Sequence, residues 1–170
     1  MTTARMEGVL RSEFLERGEF VRLISQMPET YKVALLLSLE TGLRISDVLG
    51  LTFSQVLWGA PVRERKTGKT VVLDVPAYLK AALWGWWLDR QRELVFESKK
   101  APGRPVSRST VYRWVRRVAQ DEKAHVSPHT ARKIFAVERF RECGSLEQVQ
   151  EALRHDRPET TALYALSDKF

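Results

Sequence analysis

Apolar positions along the chain fall mostly at helical spacing. Ser12 to Met27 carries Phe14, Leu15, Phe20, Leu23 and Ile24 as a rough stripe, and Pro28 ends the pattern. Tyr31 to Glu40 is apolar nearly all round, which predicts a buried helix, and Gly42 fits its C-cap. A short helix over Ile45 to Leu51 follows. The texture then changes. Gln55–Trp58, Pro61–Arg65 and Thr70–Val75 read as short strands, with Lys66-Thr67-Gly68-Lys69 as the turn between the last two. Ala77 to Glu93 returns to helix and holds Trp84, Trp86 and Trp87. Leu94–Phe96 is a short extended piece, and Ser98–Ser107, with Pro102, Gly103 and Pro105, is a loop. Ser107 or Ser109 caps a helix whose Val111, Trp114, Val115 and Val118 share a stripe, leaving Arg113, Arg116 and Arg117 on the other side. Ser127-Pro128 starts a helix that runs to about Glu142, ended by Cys143-Gly144. Ser145 caps another, with Leu146, Val149 and Leu153 on one face. Asp156 and Glu159 make a box-like cap for a last short helix through Tyr164. The sum is a mainly helical α+β domain with one small sheet near residues 55–75.

Composition narrows the class. The chain has 170 residues, about one domain's worth, and 44% are hydrophobic, enough for a sizeable core. No apolar run reaches the 18 residues or so that would span a bilayer, and Met1–Leu10 lacks a signal-peptide pattern. Cys143 is the single cysteine, which excludes an internal disulfide framework and any multi-cysteine zinc site. The expectation is a soluble, cytoplasmic domain without a membrane partner.

Charge then adds direction. The formal net charge is +7, but it is uneven. Residues 99–141 hold 12 basic and 3 acidic side chains, whereas residues 142–170 hold 3 basic and 6 acidic. Local basic density suits a phosphate-backbone surface, because each neutralised phosphate releases condensed counterions; a merely solvated basic face is the other reading.

Several polar residues stand at element boundaries. Arg44 opens a helix after the Gly42 break, and Lys66 sits in the hairpin turn. His129 and Arg132, three apart in a first helical turn, share a face beside free backbone N–H groups. His155 and Tyr164 flank the cap of the last helix. Such a set can surround one phosphate, with guanidinium forks on its oxygens, an ammonium or imidazole to move protons and a phenol as nucleophile. Taken singly, each residue also fits an ordinary surface or packing role.

Order and context join them. Thr41-Gly42-Leu43-Arg44-Ile45-Ser46-Asp47 resembles the first-arginine box of the tyrosine recombinase (phage integrase) family. Lys66-Thr67-Gly68-Lys69 resembles its hairpin-lysine turn, with Lys69 as the alternative lysine. Ser127-Pro128-His129-Thr130-Ala131-Arg132 resembles its His-x-x-Arg box, and Leu153-Arg154-His155 through Thr160-Thr161-Ala162-Leu163-Tyr164 its closing box. The match runs over about residues 20–165. One departure stands out: the family usually has Leu-Gly-His where this chain has Leu153-Arg154-His155, so Arg154 is expected to shift that turn or add a phosphate contact.

The resemblance implies a compact helical catalytic domain with a small three-stranded antiparallel sheet, over residues 21–170. Residues 1–20 are too short for the family's N-terminal core-binding domain and are expected to be a linker segment. The implied activity is site-specific recombination of double-stranded DNA through a 3′-phosphotyrosyl intermediate, by monomers that assemble into a homo-tetramer on DNA. Tyr164 is the implied nucleophile, Arg44 and Arg132 the phosphate clamps, Lys66 the acid for the leaving 5′ oxygen, and His129 and His155 the proton and hydrogen-bond partners. Asp47 either orients Arg44 or is a plain surface carboxylate. Arg108, Arg113, Arg116, Arg117 and Lys133 are the implied DNA contacts. No metal or other cofactor is implied. The competing readings are a DNA-binding regulator without catalysis and a type IB topoisomerase-like nicking-closing enzyme.

Overall fold

The computed structural model describes residues 14–122 and 124–169. Helices dominate, as the spacing predicts, but the elements between them differ from the sequence reading. Helix α1 (Arg17–Ile24) starts at a capping box between Glu16 and Glu19. The expected start at Ser12 lies outside the described residues. Phe20 is fully buried and Arg17 bonds Glu40 and Glu138 at 2.6 Å each, so the packed unit reaches into the segment expected as a linker. Helix α2 (Glu29–Thr41) is buried along most of its length and ends at Gly42, whose φ of 67° is left-handed. Helix α3 (Ile45–Leu49) is cut short at Gly50.

The segment read as a strand at Gln55–Trp58 is helix α4 (Phe53–Leu57). Thr52 caps it by accepting from the Gln55 backbone N–H, while the Gln55 side chain accepts from the Thr52 N–H. That reciprocal cap satisfies two end donors and outweighs the strand preference of Val56 and Trp58. The expected three-stranded sheet is therefore two separate hairpins. Strands β1 (Val62–Arg63) and β2 (Thr70–Val71) pair antiparallel, Val62 opposite Val71. Their turn closes through Glu64 N–H to Lys69 O and Gly68 N–H to Glu64 O, both 2.9 Å, with Gly68 left-handed at φ 67°.

Helix α5 (Ala77–Arg90) stops at Gln91, three residues earlier than expected. The segment read as a loop after it forms the second hairpin, β3 (Glu97–Ser98) against β4 (Ala101–Pro105). Prolines 102 and 105 are tolerated because β4 is a sheet edge. Helix α6 (Arg108–Asp121) takes Ser107 as its N-cap. Helix α7 (Pro128–Cys143) ends at left-handed Gly144, as read from the sequence. Helix α8 (Leu146–Leu153) follows its Ser145 cap, and α9 (Pro158–Ala165) precedes a 3₁₀ turn at Ser167–Lys169. The N-cap of α9 is Arg157, with Pro158 supplying the helical φ, so Asp156 and Glu159 do not form the expected box.

Helix α7 is central. It packs on α2, α8 and α9, and buries Thr130, Ala131, Arg132, Ile134, Ala136 and Val137. One large core joins α1 through α6 to its N-terminal half, and a smaller one of Ala136, Val149, Leu153 and Ala165 lies under α8 and α9. Arg141 holds the C-terminal turn by pairing with Glu16 at 2.8 Å and Asp168 at 2.9 Å. The site therefore rests on the ends of rigid helices. No described helix is long and apolar enough to cross a membrane.

Candidate active site

Five elements deliver polar groups to one region. Arg44 is the N-cap residue of α3, placed there by the left-handed break at Gly42. Its Nη1 donates to Glu64 Oε2 at 3.1 Å. Arg132 emerges from the first turn of α7 and is 2% exposed. Its Nη1 donates to the Gly42 carbonyl, and Nη2 donates to the Leu153 carbonyl at 2.5 Å. These bonds tie the end of α2 to the end of α8 through one guanidinium. Burial first, and then the charge of Arg44, pushes its pKa down to about 10, while Glu64 and Tyr164 act in the opposite sense. Glu64, bonded by Arg44, is also bonded by Arg154, the residue next to the Leu153 carbonyl that Arg132 holds.

His155 is buried at the turn between α8 and α9. Its Nδ1 lies 3.1 Å from Thr161 Oγ1, and its ring meets Tyr164 edge-on with centroids 5.4 Å apart. Burial, assisted by Arg132 and Arg44, pushes its pKa down to about 4, so the imidazole is neutral at physiological pH. Arg44, Lys66, His155, Asp156, Arg157 and Thr160 line a cleft of about 130 Å³. Lys66 reaches it from the exposed hairpin turn. Lys69 comes to the same cleft from its other side, 2.8 Å from Asp156 and donating to the Arg154 carbonyl at 3.4 Å.

His129 stands at the exposed start of α7, its ring 6.4 Å from that of Tyr112 on α6. Desolvation, followed by the charges of Arg132, Arg108, Lys133 and Arg44, lowers its pKa. Arg108 lies over the same Tyr112 ring at 5.9 Å, and Lys133 follows His129 by one turn of α7. Burial likewise lowers the pKa of Lys133. Arg113, Arg116 and Arg117 are exposed along α6, opposite its buried Val111, Val115 and Val118. Arg117 also covers the Trp114 ring at 5.4 Å, and Trp114 stacks on Tyr31. Among the described residues, no cluster of three or more His, Cys, Asp or Glu is suited to a metal ion.

Two acidic residues have roles that sequence reasoning missed. Among the described residues, the Asp47 carboxylate makes no hydrogen bond to the Arg44 guanidinium, and only its backbone N–H meets the Arg44 carbonyl, at 2.9 Å. Asp47 is buried on α3 and accepts from the Arg65 backbone N–H at 3.0 Å, fastening the lysine hairpin to that helix. Glu64, on the same hairpin, is completely buried among Arg44, Arg154 and Thr67. Its position after β1, alternating inward with Val62, was the signal available in the sequence. The tryptophans also sort themselves. Trp86 and Trp87 pack against the core, whereas Trp58 and Trp84 are 54% and 44% exposed and meet edge-on.

Comparison with known proteins places this geometry. The phage integrase family matches residues 13–169. Tyrosine recombinase XerA of Thermococcus kodakarensis is 30% identical over 159 residues, covering 88% of this chain and 56% of XerA. Tyrosine recombinase XerD of Shewanella oneidensis is 30% identical over 145 residues, covering 78% of this chain and 48% of XerD. The chain spans about half the length of these curated relatives. Among solved structures, the XerH site-specific recombinase in a post-cleavage complex with its palindromic difH substrate superposes with a TM-score of 0.72 over 92% of this chain and 50% of that one, at 22% identity. That likeness establishes a shared fold, mainly helical with small antiparallel sheets. Family match and fold together give one conclusion: the chain belongs to the phage integrase family, as a tyrosine recombinase catalytic domain.

Proposed function

We propose that the chain is a site-specific DNA recombinase that breaks and rejoins strands through a 3′-phosphotyrosyl link, with residues 21–170 as its catalytic domain. The observation that carries this is the convergence on one region of two guanidiniums, a lysine, a neutral imidazole and a phenol from α3, α7, the β1–β2 turn, the α8–α9 turn and α9.

The phenol oxygen of Tyr164 attacks the scissile phosphorus, forming the phosphotyrosyl bond as the bond to the 5′ oxygen breaks. Arg44 and Arg132 hold the non-bridging oxygens and stabilise the charge that develops there; preorganised donors of this kind are commonly the largest catalytic term. Arg132 is already fixed by two carbonyls, so little reorganisation is needed at the moment of reaction. Lys66 gives its proton to the departing 5′ oxygen. His129, its pKa lowered, is available to take the phenolic proton. His155 Nδ1 lies 3.1 Å from Thr161 Oγ1; in the tautomer that accepts from that hydroxyl, Nε2 carries the proton and donates to the phosphate. The phosphotyrosine keeps the bond energy, so religation reverses the same steps without a cofactor.

Arg108, Arg113, Arg116, Arg117 and Lys133 contact the DNA backbone and groove beside the cleft. Assembly into a homo-tetramer on DNA is part of this reading, supported by the related lambda integrase, solved as a tetramer bound to a Holliday junction. The test is a pool of nicked suicide duplexes with randomised sequence around the nick. A covalent protein–DNA adduct that survives denaturation, and is absent in Tyr164→Phe, is the expected result. Absence of adduct from the unaltered protein across the pool overturns the catalytic reading.

A further inference from the structure

Glu64 is an unusual residue to find in a site built for a phosphate. Its side chain is 0% exposed and lies among the cations expected to receive the substrate. An unpartnered carboxylate so placed would take up a proton. Here both oxygens are engaged. Oε2 accepts from Arg44 Nη1 at 3.1 Å and from the Thr67 hydroxyl at 2.8 Å, and Oε1 accepts from Arg154 Nε at 2.7 Å. Burial alone would raise its pKa, but these bonds and the charges of Arg154 and Arg44 hold it below the usual carboxylate range. Glu64 is therefore an ion at neutral pH.

Arg154 is placed at a conformational cost. It ends α8 at φ 56°, the left-handed region that L-residues seldom adopt. Its Nη1 donates to the Ala152 carbonyl at 2.7 Å, and Nη2 is buried without a partner among the described residues. The side chain thus directs its strongest bond at Glu64. The consequence is electrostatic. A lone Glu64 would neutralise Arg44, the guanidinium at the mouth of the cleft. With Arg154 on its other oxygen, the carboxylate orients Arg44 while the cluster of Arg44, Arg154 and Glu64 stays net positive. The same pair ties the hairpin bearing Lys66 to the turn bearing His155.

We infer that Glu64 is a positioning residue for Arg44, and that Arg154 supplies the charge that keeps Glu64 from cancelling it. This rests on the recombinase reading above. The substrate for the test is a duplex captured from the randomised pool, resynthesised with either a normal scissile phosphate or a methylphosphonate, in which a methyl group replaces one charged oxygen. Single-turnover adduct formation is measured at saturating DNA, alongside DNA affinity.

Glu64→Gln is expected to slow adduct formation on the order of 10- to 100-fold, because a misplaced guanidinium loses its alignment with the transition state. DNA affinity is expected to stay within about threefold, since distant phosphate contacts dominate it. The defect should shrink on the methylphosphonate, as should that of Arg44→Ala, because less charge then needs an arginine. Arg154→Met alone should also slow cleavage, and Glu64→Gln/Arg154→Met should be no slower than Glu64→Gln, the coupling expected of one unit. A Glu64→Gln defect equal on both substrates marks a merely structural role and overturns the inference, as does a wild-type rate. Multiplicative single effects overturn the part assigned to Arg154. If Glu64→Gln fails to fold, Arg154→Met and Arg44→Ala compared on the two substrates decide the matter: a methylphosphonate-independent Arg154→Met defect overturns it. An unaltered protein that forms no adduct refutes the recombinase reading instead.

Discussion

Two glycines with nearly the same backbone conformation allow the packing around Arg44 to be measured. Gly42 and Gly144 end α2 and α7 at φ 67° and 66°. An alanine at either position carries the left-handed cost of roughly 1–2 kcal/mol. Their surroundings differ. A Cβ at Gly144 would meet nothing within 4 Å, whereas one at Gly42 would stand 2.6 Å from Phe135 Cε1 and 2.7 Å from Cδ1. Those separations cannot persist, so the Phe135 ring or the α2–α7 packing must move, an overpacking cost of about 1–3 kcal/mol. Gly144→Ala is therefore expected to lose about 1–2 kcal/mol and Gly42→Ala about 2–5 kcal/mol. For a domain of this size, each kcal/mol corresponds to roughly 2–4 °C in Tm. Urea unfolding at neutral pH, with m-values compared to confirm two-state behaviour, gives both numbers. The Gly42 carbonyl also accepts from Arg132. Displacement there should slow cleavage by the folded Gly42→Ala protein, while Gly144→Ala cleaves normally. Equal stability losses for the two variants, within about 0.5 kcal/mol, would refute the claim that Phe135 closes down on Gly42.

Other outcomes follow from the site. Lys66→Ala should reduce adduct formation by about 10²- to 10⁴-fold and recover on a substrate with sulfur at the 5′ bridging position, whose thiolate leaves without a proton; Lys69→Ala should cleave normally, and loss of cleavage there instead would move the acid to Lys69. Replacing Arg113 and Arg116 together by Gln should flatten the dependence of log DNA affinity on log salt by about 0.9 for each phosphate no longer neutralised, readable by fluorescence anisotropy. His155 gives a pH prediction. Its folded pKa, about 4, lies below the ordinary 6.5, so the unfolded chain binds the extra proton and stability falls as pH drops from about 6.5 towards 4. The full loss is on the order of 3 kcal/mol, and urea unfolding at pH 7 and pH 4.5 should show a smaller difference in His155→Gln than in the unaltered protein.

Much of this protein is written locally. The nearly continuous apolar run of α2, the stripes of α6 and α8, the left-handed glycines after α2 and α7, and Pro128 at the head of α7 all specify their elements within a few residues. The order of the boxes around Arg44, Lys66, His129–Arg132 and His155–Tyr164 is likewise a property of the chain, and so is the family. Local signals failed where they competed. Thr52-Phe53-Ser54-Gln55 carries a complete capping box that outweighs an apolar texture resembling a strand. The β3–β4 hairpin hides in a proline- and glycine-rich stretch with little apolar alternation.

The electrostatic wiring belongs to the tertiary structure. Asp47 lies one turn from Arg44, yet bonds the backbone of Arg65 on the hairpin. Glu64 is inconspicuous between two arginines in sequence; the bonds from Arg154 and Arg44 keep it an ion in the site despite its burial. Hydrophobic periodicity repeats over a few residues and reads along the chain. A buried charge is tolerated only through partners distant in sequence, so its role exists only once the fold has brought them together.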